Sequence, residues 1–518
     1  MLRAGLGGLA ASLRAIGLST AAEGEPGLEW PVPVQLGPGE AVVEPTRITL
    51  RWGSDPEATL RALFEGAFQA RKGLIHLPGA WEASRAWTIQ IGAALQDGLK
   101  RTFLQHGKST DKNGSPQPHA FEIDDRTITV TYQPYRSFKH QKAWSAIVKG
   151  LKTGSVHLAG WAYPGAVERH TGLTGTKWSY NPGAALCGIF AIVGCLSLQV
   201  PQAGGASALV ILEPSDLVRF AEIRPRLTPA RLEDAYVAGA SDAVLHVQLV
   251  LRMERLARDR PGVAAVHGVT LRSTPWASQQ KSRIATVSPS SVADSVLDAY
   301  FIAVNTLPVK LIVTRGNNVG KAKPDSYFAV ASALRGFIAR NLAMGRRWFD
   351  GFATATTSEK QPRYLHRYRS RQDNLGALRP EERSGLIAMT EKLEEAEKYL
   401  VRSVHTALRQ RFGAIASECE GNLAAMKNRW QGERDRWRIA FSGSKTNEQI
   451  RGHLADLWSR GGANRELQMH WEELLPLLRP MHWQRVRDLA LVALASYHST
   501  ADSADEETTE ATSDENEA

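Results

Sequence analysis

Lys360–Arg371 concentrates the groups best suited to holding a polyanion: five Lys/Arg with Tyr364 and Tyr368 between them, and no acid. Arg363, Arg367, Arg369 and Arg371 suit phosphate contacts, and the interleaved tyrosines suit base stacking. A solvated basic surface is the alternative for such a run. Upstream, Gly316–Lys321 follows an apolar strand pattern and ends in Gly-Lys, as a phosphate loop does. It is one residue too short for GxxxxGK[ST], and Ala322 stands where the magnesium-binding hydroxyl belongs, so nucleotide hydrolysis is not expected. A Gly/Asn/Lys loop still suits bringing backbone and a cation close to a nucleic-acid groove, with a plain surface turn as the alternative.

Other chemistry is missing. No HExxH, GxSxG, paired CxxC or DxDxDG pattern occurs. His470 and His482 stand beside Trp471 and Trp483, where packing is expected. The acids of Glu391–Glu397 are spaced as a solvated helix face with Lys392 and Lys398. The three cysteines, Cys187, Cys195 and Cys419, indicate neither a zinc site nor a disulfide scaffold and suit a reducing cytoplasm. No metal, cofactor or catalytic residue is expected.

Charge points the same way. The chain has 63 Lys/Arg against 53 Asp/Glu, a net +10. The last eighteen residues carry eight of those acids and no base, so the rest is near +18 and calls for an anionic partner. The acidic tail is disordered on composition; it either discourages non-specific binding or is solubilising sequence.

The elements that must position these groups read as an α+β region followed by an all-helical one. The opening Met1–Ala22 imitates a signal peptide, but Arg14 interrupts it, and it reads as a core helix from a truncated start. No segment reaches the roughly 18–20 apolar residues needed to span a bilayer. Strands are expected at Arg47–Trp52, Ile189–Val200, Ala206–Leu212 and Val309–Thr314. Phe121–Asp124 and Thr127–Gln133 form a hairpin turned at Asp125-Arg126. Val263–Arg272 and Arg283–Val287 pair around the polar tip STPWASQQKS.

Helices are expected at Pro56–Gln69, Trp81–Phe103, Ser137–Lys152, across Pro214–Arg258, and at Val292–Leu307. Another follows Asp325, where Phe328, Ala331, Leu334, Ile338 and Leu342 recur at spacings of three and four and Gly345 ends it. From Pro380 onward a bundle is expected. Its helices are Glu381–Cys419, Asn422–Phe441, Gln449–Arg460, Glu466–Leu478 and His482–Ser499. The expected domains are an α/β body over 1–359, a basic connector over 360–379, the bundle over 380–500 and the tail over 501–518.

Several blocks, in order from end to end, resemble the large subunit of type I CRISPR Cascade complexes, most closely its DevT-like branch. They are LRAGLGGLAASLRAI (Leu2–Ile16), LFEGAFQARKGLIHLPG (Leu63–Gly79), AYPGAVERH (Ala162–His170) and AALCGIFAIVGCLSLQVP (Ala184–Pro201). LRGFIARNLAMGRRWFDGF (Leu334–Phe352) is similar to an Asn-Leu-x-x-Gly-x-x-Trp block, and HWQRVRDLALVALASY (His482–Tyr497) to a closing helix. The strand and histidine that usually precede the first block are missing.

The resemblance implies a non-catalytic subunit of an RNA-guided DNA-binding complex. Its partners would be guide RNA, target DNA, the backbone, guide-end and small subunits, and a helicase–nuclease or transposition partner. It would recognise the motif flanking the target and help open the duplex, while the guide supplies sequence specificity. The bundle would resemble the small subunit, and Met389 would be a start for separate translation. Relatives read the flanking motif with a Gly-rich loop and part the strands with a glutamine-bearing wedge. Residue chemistry and loop position make Asn317, Asn318, Lys321 and Lys323 the candidate reader. Gln279 and Gln280 are the candidate wedge, with Lys281 and Arg283 on phosphates, and the loop of Lys108, Lys112 and Asn113 is a second reader. A stand-alone nucleic-acid-binding regulator is the alternative, and a nuclease with dispersed acids the third.

Overall fold

The first helix shows how tightly the N-terminal region is built. In this computed structural model α1 (Leu2–Thr20) buries Ala4, Leu9, Ala10, Ala11 and Leu13. Its glycines are steric requirements: a Cβ on Gly5 would lie 1.7 Å from the Cys187 carbonyl oxygen, and one on Gly194 1.8 Å from that of Ala4. The segment that imitates a signal peptide is thus a core helix lying backbone-to-backbone on a second helix. The structure describes residues 1–20, 30–105, 109–123, 125–158, 178–201, 205–257, 262–272, 286–287, 292–314, 316, 324–357, 380–419 and 421–497.

The chain divides into two units, Met1–Ala293 with Val309–Ala331, and Asp294–Pro308 with Ser332–Ala518. In the first, β1 (Val34–Leu36), β2 (Gly39–Val43) and β3 (Ile48–Arg51) form a meander ahead of α2 (Pro56–Ala67). The side chain of Asp55 caps α2, with Pro56 at its first position. β4 (Gln69–Arg71) and β5 (Leu74–His76) make a tight hairpin, and α3 (Ile89–Arg101) follows. Then come β6 (Thr110–Lys112), β7 (Gln117–Ile123), β8 (Arg126–Tyr132), β9 (Tyr135–Phe138) and α4 (Trp144–Thr153). β7 and β8 turn at Asp125, whose φ of 59° is left-handed, where the sequence placed the hairpin.

β10 (Val156–Leu158) and β11 (Trp178–Tyr180) pair before α5 (Pro182–Gly194), the helix that α1 meets. β12 (Leu196–Val200), β13 (Ala206–Pro214), β14 (Val263–Arg272) and β15 (Thr286–Val287) form an antiparallel sheet in that order. Between β13 and β14 the chain makes α6 (Leu217–Ile223) and α7 (Ala240–Ala257). Phe220, Val244 and Val247 from these helices pack with Leu198, Val210 and Val266 of the sheet. β16 (Lys310–Thr314) and β17 (Ser326–Val330) complete the unit as a hairpin.

The second unit comprises α8 (Asp294–Thr306), α9 (Ala333–Ala343), α10 (Phe352–Thr357), α11 (Pro380–Thr390), α12 (Glu395–Glu418), α13 (Leu423–Gly443) and α14 (Asn447–Gly461). The short α15 (Arg465–Met469) and α16 (Trp471–Leu474) lead to α17 (Trp483–Ser496), whose Leu489, Ala490, Val492 and Ala493 are fully buried. The α+β-then-helical division holds. Its helical part also takes in residues on the N-terminal side of position 360.

Several expected elements differ. Ile189–Gly194 belongs to α5, not a strand: Asn181 caps it, Pro182 starts it, and a segment apolar on every side shows no period to read. α3 starts at Ile89 under a Thr88 cap, while residues 81–88 form a loop pinned by Arg85 Nη1 donating to Thr228 O at 3.1 Å. Of the expected helix at Ser137–Lys152, the opening is β9 and a 3-10 turn. The long Glu381–Cys419 helix breaks at residues 391–394, where Glu394 and Glu397 form a capping box. The helix expected over Glu466–Leu478 is two short ones.

Candidate nucleic-acid interface

The candidate reader loop lies between two strands of a hairpin. β16 and β17 pair from Lys310↔Val330 to Thr314↔Ser326, and Gly316 N donates to Asp325 Oδ1 at 2.8 Å. A phosphate loop joins a strand to a helix; here the chain returns as β17, and α9 begins only at Ala333 under the Ser332 cap. Phe328 is therefore not on a buried helical face. It sits across from Ile312 on the outer face of the hairpin and is 48% exposed. The inner face is fixed by Tyr327, whose hydroxyl lies 3.1 Å from that of Tyr236 and whose ring meets Phe121 edge-on. Burial raises the pKa of both tyrosines, so both stay neutral. Asn317, Asn318, Lys321 and Lys323 lie outside the described residues.

So do Gln279, Gln280, Lys281 and Arg283, in the segment joining β14 to β15, whose described pairs are Gly268↔Val287 and Val269↔Thr286. Lys108, Arg363, Arg367, Arg369 and Arg371 also fall outside.

Lys112 and Asn113 are described, and the structure gives them company that sequence spacing did not reveal. Lys112 pairs with Tyr135 in the β6–β9 ladder, and Asn113 N donates to Pro134 O at 2.9 Å. The β4–β5 turn seats on the same corner: Tyr135 N donates to Gly73 O at 2.7 Å, and the Tyr132 hydroxyl to Lys72 O at 3.3 Å. A Cβ on Gly73 would meet Pro134 Cβ at 2.6 Å, and Lys72 has a φ of 51°, so this turn is sterically fixed. Lys72, Lys112, Asn113 and Arg136 consequently emerge, all exposed, around Pro134–Tyr135. The one local carboxylate in the ladder, Asp111, accepts from Ser137 Oγ at 2.6 Å. Only the strand-like spacing around Lys72-Gly73 hinted at this in the sequence.

In the second unit the sequence blocks prove to be architectural. Buried Asn341 donates through Nδ2 to Trp348 O at 3.0 Å and to Asp350 O at 2.8 Å, and Gly345 takes a φ of 66° between them. Trp348 is buried, so in the Asn-Leu-x-x-Gly-x-x-Trp block the named residues make a turn. Asp488 on α17 then accepts from Gly351 N at 2.7 Å and Ala353 N at 3.1 Å, at the start of α10. Burial nevertheless raises its pKa above the ordinary aspartate value. The acids of Glu391–Glu397 are not all solvated: Glu397 is buried and accepts from Arg485 Nε at 2.6 Å, and the same guanidinium reaches Glu394 at 2.6 Å.

Among the described residues no cluster of His, Cys, Asp or Glu could hold a metal, and no helix is long and apolar enough to cross a membrane. The fold and surface describe a two-part protein, an α+β body with an exposed cationic corner and a helical unit built from ordinary packing and ion pairs. Comparison with known proteins names the class. Residues 1–189 match the DevT N-terminal domain and residues 388–518 the DevT C-terminal domain. The chain is 52% identical over 504 residues to the CRISPR-associated protein Cas8a1/Csx13 of Myxococcus xanthus (strain DK1622), covering 96% of this chain and 86% of that one. The chain belongs to the DevT-like branch of the type I CRISPR large-subunit family.

Proposed function

We propose that the chain is the non-catalytic large subunit of an RNA-guided type I CRISPR complex in the cytoplasm, recognising the target-flanking motif, binding and opening target DNA, and helping to recruit the downstream effector. What carries this is likeness to a CRISPR-associated protein along 96% of the chain, joined to a basic body. Guide RNA, target DNA and the other complex subunits are its partners. In this assignment the loop of Asn317, Asn318, Lys321 and Lys323, the tip of Gln279 and Gln280, and Lys112 with Asn113 contact DNA near the flanking motif. Lys281, Arg283, Lys108 and the arginines at 363, 367, 369 and 371 neutralise phosphates.

The test is pull-down of the tagged chain from cells expressing its genomic neighbourhood, followed by sequencing of bound RNA. Uniform, repeat-derived guide RNAs with partner proteins are expected. Recovery of the chain alone, with its neighbours expressed, would replace this assignment with a stand-alone binder.

A further inference from the structure

We propose that Lys72, Lys112 and Arg136, with Lys142, Lys149 and Lys152 at α4, form one surface for the sugar-phosphate backbone of double-stranded DNA. It rests on the function proposed above and supplies that function with a backbone-binding site. From Arg126 to Val167 the chain has six Lys/Arg and no acid. The fold spreads these cations outward. Ser145, Lys149 and Lys152 share one stripe of α4 at spacings of four and three, with Lys142 just ahead, while Ala143, Ile147 and Gly150 are buried on the opposite side. A Cβ on Gly150 would lie 2.1 Å from Val156 Cγ2, so the helix is seated closely and its lysine stripe faces solvent.

The cations of this surface are open to an outside partner. None of the six cations has an ion-pair partner among the described residues. Neighbouring Arg61 pairs with Glu57 and covers Trp144, and in the second unit Arg429, Arg436, Arg438, Arg460 and Arg485 all meet carboxylates. With Asp111 the one carboxylate in the β6–β9 ladder, the six cations leave a net positive charge, and a polyanion relieves their mutual repulsion. The shape favours a duplex over a single strand. Lys142 ends the 3-10 turn that runs into α4, and at a rise of about 1.5–2 Å per residue it stands roughly 15–20 Å from Lys152, a span over which a duplex strand offers about four to six phosphates. A single-strand platform would present open aromatic faces; here Tyr135 and Phe138 are buried and Trp144 lies under Arg61.

The experiment measures binding of the full chain to a duplex of about 25 base pairs lacking any target, across a salt series. Two triple variants are compared: K72Q/K112Q/R136Q, and K142Q/K149Q/K152Q. Each should lower the slope of log affinity against log salt by up to ~2.7, at ~0.9 per lost contact, and both together by up to ~5.4. The charge-preserving K142R/K149R/K152R variant should keep the slope, which a merely structural role for the lysines would not require. An unchanged slope in the six-fold variant, with its unfolding midpoint retained, would overturn the proposal. So would loss of co-purifying RNA with duplex binding intact, because the surface would then serve RNA. If the unsubstituted chain recovers no guide RNA or partner proteins, the function proposed above fails while the slope still reports on this surface.

Discussion

Cutting the chain at Met389 removes the helices that cover the inner side of α17. In the intact unit α10 packs on α13 and α17, and α11 packs on α8 and α17. Phe349, Phe352 and Leu386, each at most 1% exposed, are lost by the cut, and Met389 itself is fully buried. Burying such a side chain contributes about 1.5–3 kcal/mol, so the three together contribute roughly 5–9 kcal/mol. Asp488 also loses two backbone donors, Gly351 N and Ala353 N. Hydrogen bonds to a charged group contribute about 1.5–3 kcal/mol each, offset in part when water replaces them. Area-based figures are upper bounds, yet even half this loss is comparable with the 5–15 kcal/mol that holds a whole domain together.

Urea unfolding of fragments 294–497 and 389–497 therefore separates two outcomes. Far-ultraviolet circular dichroism should find helix in both. Only the longer fragment should retain near-ultraviolet signal and a cooperative transition, because α12–α14 can stay helical without a covered core. Cooperative unfolding of 389–497 with stability within about 2 kcal/mol of the longer fragment would refute this reasoning. It would also make Met389 a serviceable start for a free bundle.

Three further outcomes follow from particular contacts. Asn341→Ala should cost about 2–4 kcal/mol by urea midpoint, since it orphans the Trp348 and Asp350 carbonyls and reopens the turn. Tyr327→Ala should destabilise the chain by about 2–4 kcal/mol, whereas Phe328→Ala should change thermal stability by under about 1 kcal/mol, reversing the order a buried helix would give. Burial pushes the pKa of His405 down to about 4 and that of His140 down to about 3. Their contributions are complete above about pH 6.5 and fall as pH drops toward 4, because the unfolded chain binds the proton first; His405→Gln should flatten a stability profile taken over that window.

What the sequence made legible depended on whether one physical constraint acted alone. β7 and β8 alternate cleanly and turn at Asp125, and α1 carries small residues wherever backbones must touch, so both were recognisable. Residues 189–194 failed because a helix buried on all sides has no polar face to mark its period. Residues 326–330 failed because Phe328 and Ala331 happen to extend the true 3.6-residue pattern of α9 backward, while Tyr327, Phe328 and Val330 are also good strand formers. Glu397 failed because its partner, Arg485, is 88 residues away. The cationic corner has the same origin: the Lys72 turn is brought to Arg136 by Tyr135 N donating to Gly73 O, and Lys112 joins them across the β6–β9 ladder, contacts between residues 23 to 64 apart in the chain.

Apart from Lys72, which lies within the block Leu63–Gly79, the blocks that carry the family resemblance and the groups expected to touch DNA are different residues, for a physical reason. Gly5 and Gly194 permit a helix contact, Asn341, Gly345 and Trp348 hold a turn, and buried Leu489 and Val492 fill a core. Each answers to its neighbours within the fold, so its type and spacing stand out in a bare sequence. A lysine proposed to bind phosphate is less constrained: Lys112, Lys142 and Lys149 are exposed and have no ion-pair partner among the described residues, and any cation reaching the same phosphate would serve. Substitutions in the blocks should then reduce stability and DNA affinity together. Neutralising the exposed cations should reduce DNA affinity and its salt slope while leaving stability unchanged, and that dissociation between folding and binding is how a surface of this kind is recognised.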